Sequence, residues 1–104
     1  MMFGEIVLCE FPFTSGTTSK LRPALVLFDL PEDVIICRVT SVLYSGPCDV
    51  AIEDWSGAGL LKLSVARLDR ILTAEKRILL RKLGALNASD KESVRSVWND
   101  QMHL

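Results

Sequence analysis

An arginine stands directly before a proline and an apolar run in the stretch Lys20–Leu27, KLRPALVL. Pro23 biases the preceding Arg22 toward an extended backbone, and the polar run 14–19, TSGTTS, is typical of a loop in front of it. The guanidinium is therefore expected at the start of a buried strand, facing an anion. That anion is either a carboxylate in a structural ion pair or a phosphate, because the planar fork of arginine can bind two oxygens at once.

A threonine follows on another predicted strand. Thr40 lies two residues beyond Arg38 in a run rich in β-branched residues, so the two side chains share one face of that strand. A hydroxyl in this position can donate a hydrogen bond to a phosphate oxygen. By itself, however, a threonine in a strand is an ordinary β-former.

Other common site chemistries lack the residues they need. The only histidine, His103, is next to the last residue, which leaves no Ser-His-Asp arrangement. Cys9, Cys37 and Cys48 are widely spaced and form no CxxC pattern, which is typical of reduced core thiols and not of a zinc site. Gly57 and Gly59 lack the pattern of a phosphate-binding loop. We therefore expect no metal and no cofactor.

Short strands must position these side chains. Apolar or β-branched runs between turn residues predict five strands, at 6–11, 23–28, 34–41, 49–53 and about 61–72. The segment 75–86 fits either a helix or a turn followed by a strand. Ser89 and Glu92 form a capping box before an apolar stripe at spacings of three and four, which predicts a C-terminal helix. Many short strands with turns favour a small β-barrel that carries this helix.

Length and charge limit the classes of protein. With 104 residues the chain is expected to form one domain, residues 1–104. There is no apolar run of the length that spans a membrane and no signal-peptide pattern, so we expect a cytoplasmic protein. Because 12 Lys and Arg residues oppose 13 Asp and Glu residues, the overall field does not attract nucleic acid. Any positive surface has to be local.

Several blocks in order resemble the MazF/PemK family of toxin endoribonucleases. They cover about residues 4–86 and are, in sequence order, GEIVL from Gly4, FPF from Phe11, RPALVL from Arg22, RVTS from Arg38 and GLLKLSVARLD from Gly59. The resemblance implies an SH3-like β-barrel with a C-terminal helix that works as a homodimer. It also implies metal-independent, sequence-specific cleavage of single-stranded RNA and inhibition by a cognate antitoxin protein.

The same resemblance implies roles for individual residues. Arg22 and Thr40 match the catalytic arginine and threonine of the family. Ser64 matches a recurring serine of the family and is a candidate substrate contact. Further candidates for substrate binding are Ser41, Lys62, Thr17, Thr18 and Lys20. We expect Arg22 to bind the scissile phosphate and Thr40 to donate to a nonbridging oxygen, whereas the general base has no candidate.

The chain departs from the family pattern in places. Many members carry an acidic residue and a glutamine in the loop before the arginine, and residues 14–19 contain neither. An alternative interpretation is a barrel without catalysis that binds a protein, as the related gyrase poisons do. Against a gyrase poison, the chain ends in QMHL and lacks the tryptophan-glycine-isoleucine ending typical of them. Trp55 either stacks on a base or on an antitoxin side chain, or packs internally. The basic residues between 62 and 82 form either a positive groove in a dimer or a solvated exterior.

Overall fold

The computed structural model describes residues 1–12 and 19–104. Within them, six strands precede one helix: β1 (Glu5–Pro12), β2 (Ser19–Asp29), β3 (Asp33–Thr40), β4 (Asp49–Ile52), β5 (Ser64–Glu75), β6 (Leu79–Ala85) and α1 (Ala88–Gln101). A short 3-10 helix, Lys76–Ile78, joins β5 to β6. The five predicted strands and the helix are confirmed. The ambiguous segment is a turn followed by a strand.

All six strands belong to one antiparallel sheet, in the order β4-β5-β3-β2-β1-β6. The predicted mainly β fold with a C-terminal helix is confirmed. The strand pairing among the described residues does not close this sheet into a barrel, because β4 and β6 are its two outer strands. Closure would have required a ladder between β4 and β6, which the chain joins through the loop after β4, through β5 and through the 3-10 helix.

The loop after β4 contacts β6. Gly59 has a φ of +85°, and a Cβ there would collide with the Leu83 carbonyl of β6. Reciprocally, a Cβ on Gly84 would collide with the Ala58 carbonyl. Glycine at both positions lets the two backbones touch. We call this contact between Ala58–Gly59 and Leu83–Gly84 the glycine contact.

Apolar side chains cover both faces of the sheet. One cluster contains Ile6, Leu25 and Leu68 and is covered by α1 through Val94, while Trp98 meets Phe28 edge-on at a centroid distance of 5.7 Å. The other cluster lies on the opposite face. None of the helices in the described ranges is long and apolar enough to cross a membrane.

The start of α1 differs from the prediction. Asn87, not Ser89, is the N-cap, because its side-chain oxygen accepts from the Asp90 amide at 2.8 Å. The predicted capping box is therefore wrong: Ser89 is already inside the helix, and Glu92 lies 3.4 Å from Arg95. The carboxylate of Asp90 is 2% exposed and accepts from the amides of Glu53 and Asp54 just beyond β4. These bonds fix the helix to the sheet.

Candidate functional site

Arg22 lies inside a strand and not at its start. β2 begins at Ser19, and Arg22 pairs with Cys9 of β1. Pairing between β2 and β3 begins only at Ala24, opposite Arg38, so residues 19–23 pair with β1 alone. Pro23 fits this half-paired stretch because it has no amide proton to donate, and no described strand pairs with it on that side. The prediction that Arg22 stands at the start of the strand is therefore wrong.

The register brings Arg22 and Thr40 together. Continuing the alignment of Ala24 with Arg38 by two residues sets Arg22 opposite Thr40, at the point where the ladder between β2 and β3 has stopped. Both side chains line one cavity of about 360 Å³. We call it the Thr40 cavity. Its size lies at the lower end of the range for small-ligand sites.

The cavity collects most of the predicted site residues. Besides Arg22 and Thr40, the predicted candidates on its wall are Ser41, Lys62 and Ser64. Lys20 is exposed on β2, opposite Phe11, and does not line the cavity. Thr17 and Thr18, like the rest of the predicted loop before Ser19, lie outside the described residues.

The Thr40 hydroxyl has a defined acceptor role. Its side chain is 8% exposed, and Oγ1 accepts from the Val42 amide at 3.2 Å. A hydroxyl can accept this bond and still donate its own proton. Thr40 is therefore held in place with its proton available to a ligand in the cavity.

Ser64 uses its proton differently. Its hydroxyl donates to the Lys62 carbonyl at 2.9 Å, and the side chain is 4% exposed. This bond shapes the turn that presents Lys62. Toward a ligand, the Ser64 oxygen can act as an acceptor, whereas its proton is already engaged.

Arg81 also lines the cavity and was not among the predicted site residues. It lies on β6, opposite Leu8 of β1. The sequence placed it in the ambiguous segment 75–86, so the direction of its side chain could not be inferred. Its proximity to other basic residues between 62 and 82 was the only signal.

The basic residues divide into two groups. Among the described residues, five have a carboxylate partner, in the pairs Arg67–Asp49, Lys76–Asp29, Arg77–Glu75, Lys82–Glu5 and Arg95–Glu92. Arg22 is not in this group, so within residues 1–12 and 19–104 the carboxylate alternative for its anion is not realised. Lys62 and Arg81, on the same cavity, likewise have no carboxylate partner there. A chain of net charge −1 thus has a local positive site.

The loop after Thr40 is held by β5. The Arg67 guanidinium lies 3.7 Å from the centroid of the Tyr44 ring, and its Nε is 2.9 Å from Asp49 Oδ1. Asp49 Oδ2 in turn accepts from the Gly46 amide at 2.8 Å. The hydrogen bond to Asp49 raises the pKa of Arg67 above its ordinary value. These contacts restrain residues 41–48 at the rim of the cavity.

The nearby thiols do not supply a base. Cys9, which pairs with Arg22, is buried, and burial raises its pKa to about 11. Burial also raises the pKa of Cys37 to about 12. Both thiols are therefore protonated at neutral pH. Across the described ranges, no three His, Cys, Asp or Glu side chains are grouped so as to hold a metal ion.

Trp55 belongs to the packing of the core. It is partly buried against the apolar cluster under α1, and its carbonyl accepts from the Leu60 amide at 3.0 Å. Internal packing, one of the interpretations of the sequence, is therefore observed. The turn that contains Trp55 leads to Gly59 and so positions the cavity wall.

Comparison with known proteins adds a family match. The family model described as PemK-like, MazF-like toxin of type II toxin–antitoxin system matches residues 2–100. No curated protein matches the chain.

Solved structures share the fold. One is an endoribonuclease in complex with its cognate antitoxin, from a mycobacterial species, with a TM-score of 0.78 at 18% identity. The match covers 98% of this chain and 94% of that endoribonuclease chain. The Mycobacterium tuberculosis toxin MazF-mt6 has a TM-score of 0.70 at 21% identity, with coverages of 89% and 93%. MazF in the MazE–MazF complex of Deinococcus radiodurans has a TM-score of 0.67 at 23% identity, with coverages of 94% and 92%.

Proposed function

Since this chain belongs to the PemK-like, MazF-like toxin family of type II toxin–antitoxin systems, we propose that it is a metal-independent endoribonuclease acting on single-stranded RNA. One observation supports this proposal above the others. Arg22 and Thr40 line one cavity, and the guanidinium has no carboxylate partner within the described residues. A phosphate is the anion that suits both groups.

The proposed reaction uses the ribose as nucleophile. The 2′-oxygen attacks phosphorus and loses its proton, the bond from phosphorus to the 5′-oxygen breaks, and that oxygen takes up a proton. The products are a 2′,3′-cyclic phosphate and a free 5′-hydroxyl. Negative charge that develops on the nonbridging oxygens is stabilised by the permanently cationic Arg22 and by a hydrogen bond from Thr40.

The other residues of the cavity bind and do not react. Lys62 and Arg81 add positive charge beside Arg22, and Ser41 lies next to Thr40 on the rim. The Ser64 hydroxyl positions Lys62 by donating a hydrogen bond to the Lys62 carbonyl. Thr17, Thr18 and Lys20, which precede Arg22 along the chain, complete the proposed substrate contacts. We assign no side chain to accept the 2′-hydroxyl proton.

The proposal extends to assembly and location. Structures of relatives with antitoxins support inhibition of this chain by a cognate antitoxin, and exposed apolar side chains at Val42, Leu43 and Leu61 suit such a contact. We also propose a cytoplasmic homodimer that cleaves messenger RNA at a short preferred sequence. We further propose that the fold is an SH3-like barrel, which the glycine contact between β6 and the loop after β4 supports.

Incubation of the purified protein with mixed single-stranded RNA and a chelator tests this function. We expect discrete fragments with 2′,3′-cyclic phosphate ends. Arg22→Ala should lower kcat/KM by about a hundredfold to a thousandfold, the usual effect of losing one charge-stabilising donor. Arg77→Ala is the matched control, because Arg77 is 79% exposed and paired with Glu75 away from the cavity.

Circular dichroism of each variant checks that it is folded. Intact RNA with the wild-type protein, or equal cleavage by folded Arg22→Ala and wild-type protein, would contradict the proposal.

A further inference from the structure

A second cavity adjoins the Thr40 cavity. It has a volume of about 340 Å³ and shares Arg22 as a wall. Arg38 and Arg70 line it together with apolar side chains that include Phe11, Ile71 and Leu72. We call it the Arg70 cavity. Three arginines therefore line one space, and of these only Arg22 also lines the Thr40 cavity.

The position of Arg70 is produced by an irregularity in β5. Arg38 pairs with Arg67, but the next residue toward the start of β3, Cys37, pairs with Ile71. Residues 68–70 therefore have no partner on β3 and form an irregular bulge of three residues. Bulges of this kind redirect side chains and are common beside binding sites.

The bulge is anchored at its first residue. Leu68 is fully buried in the core, and its amide donates to the Cys48 carbonyl at 2.9 Å. Asp69 and Arg70, which follow, are exposed. The core contact thus fixes the backbone that carries Arg70 at the edge of the cavity.

The charges in the Arg70 cavity are not neutralised. Neither Arg38 nor Arg70 has a carboxylate partner in the described ranges, and no acidic residue there lines the cavity. Asp69 is adjacent to Arg70 in sequence, but it does not line the cavity and forms no ion pair within the described ranges.

The distribution of unpaired basic residues is uneven across the molecule. Seven Lys and Arg residues lack a carboxylate partner in the described part of the chain, and five of these line the two cavities: Arg22, Arg38, Lys62, Arg70 and Arg81. A polyanion with successive charges fits two adjoining cationic cavities better than a single phosphate does.

We propose that the Arg70 cavity binds a nucleotide next to the scissile phosphate, with Arg38 and Arg70 on the flanking phosphate and the base against Phe11 and Ile71. This assignment rests on the proposed ribonuclease function. Phe11 is half-buried and Ile71 is 42% exposed, so both present apolar surface on which an unpaired base can stack. Arg22 connects the two subsites, since it lines both cavities.

The test measures how RNA affinity depends on salt. Binding of a single-stranded RNA with a 2′-deoxy substitution at the cleaved position is titrated at several salt concentrations. Each phosphate contact contributes about 0.7 to the slope of log affinity against log salt. Arg70→Ala and Arg38→Ala should each lower the magnitude of the slope by about that amount. Cleavage of the unmodified RNA should show about a tenfold higher KM with a much smaller change in kcat.

Matched variants separate a subsite from a general charge effect. Arg70→Lys should keep most of the salt slope, because a lysine retains the charge but loses the fork. Lys76→Ala removes a basic residue that is paired with Asp29 and should leave the slope unchanged. The penalty of Arg70→Ala should shrink as the RNA is shortened from one end, and that end identifies the flanking nucleotide.

The outcomes distinguish this proposal from the proposed function. If the wild-type protein cleaves RNA and both alanine variants keep its slope and KM, the subsite assignment is overturned and the ribonuclease stands. The same holds if the variants lose only antitoxin affinity. If the wild-type protein neither binds nor cleaves RNA, both proposals fail. If it binds RNA with an Arg38- and Arg70-dependent slope but does not cleave, the ribonuclease fails, and the assignment of a subsite beside a scissile phosphate fails with it.

Discussion

Arg22 and Pro23 lie where β2 pairs with β1 but no longer with β3. Pro23 has no amide proton to donate, and among the described strands none pairs with it on the side where β3 has separated from β2. That separation leaves space for the Arg22 side chain beside Thr40. Pro23, which cannot donate a backbone hydrogen bond, thus directly follows the residue that lines the Thr40 cavity, Arg22.

A pair of substitutions at Thr40 tests the role of its hydroxyl. Thr40→Val keeps the side-chain shape and removes the donor, so kcat for RNA cleavage should fall about a hundredfold to a thousandfold. RNA affinity should fall much less, and Thr40→Ser should recover part of kcat. Steady-state kinetics with the 2′-deoxy RNA as a binding control measures both; equal losses in kcat and affinity would make Thr40 a binding residue only.

Sequence reasoning located part of the site. Arg22, Thr40 and Lys62 could be chosen because they stand in ordered blocks that resemble a family, and the structure brings them to one cavity. Arg70 and Arg81 could not be chosen in this way. The direction of Arg70 depends on a bulge against β3, and that of Arg81 depends on the pairing of a strand whose sequence also suits a helix.

At the scale of elements, α1 is attached through its first turn. Asp90 serves two purposes: its amide completes the cap with Asn87, and its carboxylate satisfies two amides beyond β4. Local rules predicted a helix here, but they placed the cap two residues late. The reason is tertiary: a capping box needs Ser89 outside the helix, whereas the bonds to β4 require Asp90 inside its first turn.

Removal of this carboxylate should destabilise the fold. Asp90→Ala leaves two amides without their acceptor, and we expect the free energy of unfolding to fall by about 2–4 kcal/mol. Urea denaturation followed by circular dichroism measures it. Asp100→Ala, an exposed position on the same helix, is the control and should change stability by less than about 0.5 kcal/mol. Equal stabilities of the two variants would show that α1 does not depend on these bonds.

At the scale of the whole molecule, the binding of a polyanion depends more on which charges are paired than on the net charge. The net charge of −1 argues against a polyanion as partner, yet the acidic residues neutralise basic ones remote from the two cavities. Composition could not reveal this division, because it arises only when strands that are distant in sequence become neighbours. For the same reason the sequence could indicate a β fold but not whether its outer strands would pair.

Stability should depend on pH at both ends of the scale. Hydrogen bonds from the Met2 amide and Lys82 lower the pKa of Glu5, and Lys76 lowers that of Asp29. Groups with lowered values stabilise the fold above their ordinary pKa of about 4 and lose this contribution as the pH falls. Cys9 and Cys37, with raised values of about 11 and about 12, act in the opposite direction. Their contribution is lost as the pH rises above about 8.5, where the unfolded thiols ionise.

Urea titrations from acidic to alkaline pH check this expectation. The free energy of unfolding should be highest between about pH 5 and pH 8 and should decline on both sides. Glu5→Gln should flatten the acidic decline and Cys37→Ala the alkaline one, whatever each substitution does to stability at neutral pH. Parallel profiles for wild-type and variant proteins would contradict the assignment of these groups.

The glycine contact has a consequence for solubility. Outer strands with free backbone groups can template the addition of strands from other molecules. Here the backbone of Ala58 and Gly59 lies against β6 at Leu83 and Gly84. At the other margin, β4 has only four residues and is followed directly by amides bonded to Asp90. A protein built in this way resists fibre-like growth from its own sheet at high concentration.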